Sequence, residues 1–64
     1  MTIEFATALA KQAAGLDGKD YVVWRMPKWP KGAIAVDRAD FPRPPEAETL
    51  VTVRAPRAEQ ANLF

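Results

Sequence analysis

The sequence predicts an α+β domain: one N-terminal helix packed on a small three-stranded antiparallel sheet. Three observations predict it. An alanine- and leucine-rich segment opens behind a threonine, three short β-prone runs follow, and glycine or proline separates each run from the next.

The helix comes first, in "TIEFATALAKQAAGLDG". Thr2 is its N-cap, Glu4 complements the positive end of the helix dipole, and Ala, Leu, Lys and Gln favour its interior. At 100° per residue, Phe5, Leu9 and Leu16 form one stripe flanked by Ala6 and Ala13, with Glu4, Thr7 and Lys11 opposite. That stripe is the expected core face. The helix is expected to run from Thr2 to Ala14, stopped by Gly15 with Leu16 as its hydrophobic contact and again by Gly18.

The first strand is "DYVVWRM", dominated by Tyr21, Val22, Val23 and Trp24. Alternation puts Val22, Trp24 and Met26 on one face, the expected core face, and Tyr21, Val23 and Arg25 on the other. Pro27 ends it, and Pro30 pushes Trp29 toward extended geometry within the loop "PKWPKG". Gly32 permits a turn into the second strand, "AIAVDR", with Ile34 and Val36 on one face, which makes a hairpin joined by residues 27–32.

Pro42, Pro44 and Pro45 bar "ADFPRPPEAE" from a central strand and make it an extended spacer. A proline-rich ligand for an aromatic groove is the sharper, less favoured reading of the same stretch. The third strand is "TLVTVRA", with Thr49, Val51 and Val53 on one face against Leu50, Thr52 and Arg54. Pro56 closes it, so residues 1–56 form a single domain and residues 57–64 a tail.

Composition then narrows function. A chain of 64 residues buries only about 60% of the surface its unfolded form exposes, and with no cysteine it has neither a disulfide nor a thiolate metal site to supplement its core. Histidine and serine are absent too, which removes the usual general base and the two commonest nucleophiles, and the eight acids are dispersed. No enzyme, cofactor or metal is expected. Nine basic against eight acidic residues leave a net charge of +1, which steers the chain to no particular polyanion. No apolar run reaches the length of a membrane span and the first residues do not read as a signal peptide, so a cytoplasmic location is expected.

Binding features remain. "WRMPKWPK" joins two Trp to Arg25, Lys28 and Lys31, the mixture in which base stacking and phosphate attraction combine on a single strand. The plainer reading has Trp24 in the core, Trp29 folded over the sheet edge and the lysines keeping the loop soluble. A sheet face left uncovered by the helix would carry Tyr21 and Arg25 and serve as a contact surface, with Trp29 as a hot spot for a protein. The acids Asp37, Asp40, Glu46 and Glu48 fall around the proline segment and the cations Arg25, Lys28 and Lys31 in and before the preceding loop; a fold that segregates them would give two ends of opposite potential, suited to charged macromolecular partners.

The final residues are Gln60, Ala61, Asn62, Leu63 and Phe64. They resemble the short peptide by which bacterial replication and repair proteins dock on the sliding clamp: a Gln, two variable positions, then Leu-Phe. The resemblance implies that Gln60 makes the anchoring amide hydrogen bonds and that Leu63 and Phe64 enter a hydrophobic pocket. Ala61 stands where Leu is common and Asn62 where Ser or Asp is common, so it implies a weaker peptide than the family's best. The competing placement folds Leu63 and Phe64 back onto this domain's own thin core. In small size, single domain and lack of catalytic residue types the whole chain also resembles anti-CRISPR proteins, phage- or mobile-element-encoded inhibitors of host defence complexes. That resemblance implies binding through the sheet face and the Trp29 loop. The expected partner is thus a protein, a sliding clamp or a host defence complex, with single-stranded nucleic acid the less favoured choice. Oligomeric state is left open.

Overall fold

The computed structural model describes residues 1–56. Helix α1 spans Ile3–Asp17, and strands β1 (Tyr21–Arg25), β2 (Ala35–Arg38) and β3 (Glu48–Val53) follow it. The architecture is the expected one, a helix on a three-stranded antiparallel sheet in the order β2-β1-β3.

Thr2 caps α1 as expected: its Oγ1 accepts the N–H of Phe5 at 3.1 Å, from an extended backbone. The helix ends one turn later than the sequence reading placed it. Gly18, at φ 70, is the left-handed cap and donates its N–H to the Ala14 carbonyl at 2.9 Å, while Gly15 stays inside the helix. Either glycine fits a C-cap by composition, and the second is the one that lets Asp17 reach Tyr21, whose hydroxyl donates to Asp17 Oδ2 at 2.7 Å.

The helix's buried face is a correction to the sequence reading. Ala6, Ala10 and Ala14 point at the sheet, each with 1 % or less of its surface exposed, while Phe5, Leu9 and Leu16 are 56 %, 37 % and 83 % exposed. The reason is complementarity of size. The sheet supplies the bulk, through Tyr21, Ile34, Val36, Leu50 and Val51 around Val23 and Val53, and small helix residues let the two layers approach closely.

The face of β1 under the helix is the second correction. Val23 is fully buried beneath α1, so the Tyr21, Val23 and Arg25 side is the covered one. Val22 and Trp24 are also buried, on the opposite face. β1 is therefore packed on both sides, as suits the central strand of the order above. In its pairing with β3 the register shifts between Val23, opposite Val51, and Trp24, opposite Thr49, which leaves Leu50 as the extra residue of a bulge. The bulge turns Leu50 onto the core cluster beside Val51, which strict alternation would forbid.

Two tight turns shape the β1–β2 connection, which covers residues 26–34 rather than 27–32. Trp29 N–H bonds the Met26 carbonyl at 3.1 Å, and Ala33 N–H bonds that of Pro30 at 3.0 Å with Gly32 at φ 87 in the position a type II turn reserves for glycine. The proline segment then carries the chain from one edge strand, β2, past β1 to the other edge, β3. It is held by turns at both ends, Phe41 N–H to the Arg38 carbonyl and Ala47 N–H to that of Pro44, each at 3.0 Å.

Candidate interaction surfaces

Strand β1 carries Tyr21 and Arg25 at its two ends, about 13 Å apart at the rise of a strand. The structure does not bring them together as one exposed surface. Tyr21 is half-buried and its hydroxyl is committed to Asp17. That bond, which favours the protonated phenol, is the chief cause holding its pKa above the ordinary value of 10.0, with desolvation and the negative charge of Asp17 adding to it. Arg25 is exposed, and its Nε donates to Glu48 Oε1 at 2.8 Å across the β1–β3 pair. Glu48 partly neutralises the cation that the sequence offered to phosphate.

Lys28, Trp29 and Lys31 do share one site, the 26–34 loop, with both lysines exposed and Trp29 half-buried. The Trp29 ring leans on Trp24, with ring centroids 5.2 Å apart and planes tilted by 43°. Trp24 itself is 8 % exposed, and its Nε1 donates to Asp37 Oδ2 at 3.3 Å. The plainer reading of "WRMPKWPK" therefore holds for Trp24. Its ring is not open to a stacking base, and Trp29 presents only the part that Trp24 leaves uncovered.

Opposite this loop, at the start of β1, a shallow depression of about 300 Å³ is lined by Gly18, Lys19, Asp20, Ala39 and Asp40. Its carboxylates already have partners. Asp20 Oδ1 accepts the N–H of Ala55 at 2.7 Å, and Asp40 Oδ1 lies 3.6 Å from Arg38 Nε, whose guanidinium also sits 5.2 Å from the Phe41 ring centre. Among the described residues no three acidic, histidine or cysteine side chains gather in a metal-ligating group, and no helix is long and apolar enough to cross a membrane.

The surface that sequence reasoning assigned to the core is the outer side of α1. Phe5, Leu9 and Leu16 lie within about 40° of one another, roughly 120° round the helix from the alanine face. The signal for it was present as a second apolar face on the same helix, but size made the wrong one look like the core. Gln60, Leu63 and Phe64 lie outside the described residues. Comparison of the chain with protein-family models, curated proteins and solved structures finds no match.

Proposed function

We propose that this chain works by binding a macromolecular partner rather than by catalysis, as a small adaptor or inhibitor that docks on a bacterial sliding clamp through residues 60–64. The observation that carries the reading is the spacing of Gln60, Leu63 and Phe64 directly after a folded domain. Two buried large side chains contribute roughly 3 to 5 kcal/mol before ordering costs, which suits a weak, exchangeable anchor. Such a partner places the protein in the cytoplasm. Calorimetry with a purified bacterial clamp tests the reading, using the full chain and a chain lacking Leu63 and Phe64. Binding that disappears on truncation, with the far-UV circular dichroism unchanged, supports it. Binding unchanged by the truncation overturns it.

A second reading is an inhibitor of a host defence complex acting through the folded surface. The observation favouring it is the 26–34 loop, where Trp29 stands between two exposed lysines, the aromatic and cationic mixture common at interface hot spots. Co-purification with a host nuclease complex that survives removal of the tail but not Trp29→Ala separates this reading from clamp docking.

A further inference from the structure

We propose that residues 41–45, Phe-Pro-Arg-Pro-Pro, are a ligand for a domain that recognises polyproline II helices through aromatic-walled grooves. Chain chemistry sets the backbone first. Each of the five residues either is a proline, with φ locked at about −65°, or stands directly before one, which disfavours the helical region. No peptide bond among the described residues is cis. A trans run under these restrictions is a polyproline II helix, with about three residues per turn and a rise of about 3.1 Å each.

That period sorts the side chains into three rows: Phe41 with Pro44, Pro42 with Pro45, and Arg43 alone. Their exposure follows the rows. Phe41, Pro42, Pro44 and Pro45 are exposed, whereas Arg43 is half-buried and its Nη1 is shut off from water. One row therefore lies against the domain and the other two face outward. This is the pattern a PxxP groove reads, with Pro42 and Pro45 about 9 Å apart on one row and a bulky neighbour, Phe41 or Pro44, beside each on the next. Arg38 stands over the Phe41 ring, 5.2 Å from its centre, and still leaves the residue 50 % exposed.

A connection between β2 and β3 needs length, and it needs no outward proline rings. None of residues 41–45 joins the core cluster. The turns at both ends, Phe41 N–H to the Arg38 carbonyl and Ala47 N–H to that of Pro44, mount the segment on the sheet. Among the described residues no backbone hydrogen bond engages the carbonyls of Pro42 and Arg43, so they are free to accept from donors in a groove. Folding has already met the cost of ordering this ligand, which leaves more of the contact energy for binding. The segment lies within the folded domain, so the proposal is independent of residues 60–64 and of clamp docking.

Titration of the full chain into a panel of isotope-labelled SH3 and WW domains, followed by NMR, tests it. At least one domain is expected to bind with a dissociation constant of roughly 0.1 mM, its shifts falling on the groove aromatics. Pro42→Ala and Pro45→Ala, both at exposed positions, are each expected to weaken binding about tenfold with unchanged circular dichroism. Arg43→Gln, on the inward row, is expected to change it less than about twofold. No shift in any domain at about 1 mM chain overturns the proposal, as do shifts outside the groove or binding that both proline variants leave unchanged. A loss on Arg43→Gln equal to that on Pro45→Ala overturns it too, by making the guanidinium the ligand. Binding is expected to survive removal of Leu63 and Phe64, and binding that needs them makes the tail the ligand instead. Clamp binding is scored separately on that truncated chain, so failure of this proposal and failure of the proposed function are told apart.

Discussion

The carboxylate of Asp20 accepts the backbone N–H of Ala55, 35 positions away, at 2.7 Å, while the backbone carbonyl of Asp20 accepts the N–H of Ala39 at 2.8 Å. One residue just ahead of β1 thus closes the ends of both neighbouring strands, at the point where their regular pairing stops at Tyr21 opposite Arg38 and Val53. Asp20→Ala removes only the side-chain bond. It is expected to cost about 1 kcal/mol, since the bond is exposed and water partly replaces it. A lower urea midpoint with an unchanged slope is the expected readout, and a midpoint equal to wild type would show that the strand end needs no such tie.

The alanine face makes a sharper distinction. Ala10 is fully buried between helix and sheet, so Ala10→Leu is expected to destabilise the domain by about 1 to 3 kcal/mol through overpacking, although leucine is larger and more apolar. Phe5→Ala and Leu16→Ala, on the outer face, are expected to shift stability by about 0.5 kcal/mol or less, both side chains being more than half exposed. Urea denaturation of the three variants checks both statements. The opposite ranking would mean that the large residues, and not the alanines, face the sheet.

This reversal marks where the fold was legible and where it was not. Helix, strands and their antiparallel arrangement were all readable, because Thr2, the prolines and the β-branched runs act locally through capping, lost donors and backbone preference. Which face of α1 is buried is not local. It depends on how much volume the sheet already supplies, and Tyr21, Val36 and Val51 leave room only for alanine. The covered face of β1 was hidden for a related reason, since a central strand buried on both sides gives alternation nothing to distinguish. Register was obscured by the bulge at Leu50. Of the proposed binding residues, Lys28, Trp29 and Lys31 were grouped correctly because one loop holds them, whereas Tyr21 and Arg25 were paired by face and proved to have separate carboxylate partners, Asp17 and Glu48.

The Trp24 and Trp29 rings form a pair whose members have unequal roles. Trp29→Ala strips the cover from Trp24 and is expected to cost about 1 to 2 kcal/mol, with Trp24, then the only tryptophan, emitting at longer wavelength as water reaches it. Single-stranded DNA at low salt is expected to leave the wild-type emission unchanged, because the stacking surface of Trp24 is occupied. Quenching by DNA that weakens steeply with salt is the opposite result and would return the loop to nucleic-acid binding.

Tyr21 is the only tyrosine, so its ionisation can be followed by ultraviolet absorbance without ambiguity. Its phenol donates to Asp17, and losing the proton breaks that bond and sets two negative charges together, which is why the pKa lies above 10.0. The unfolded chain ionises near the ordinary value, so it releases the proton first. The contribution of this bond to stability is therefore fully present below about pH 10 and is lost as pH rises through the higher folded value. Asp17→Ala removes both the acceptor and the charge, and is expected to lower the folded pKa toward the ordinary value and to flatten the alkaline fall in stability. A Tyr21 titration unmoved by Asp17→Ala would assign the shift to desolvation, the next cause in size, and leave the helix end without this tie to the sheet.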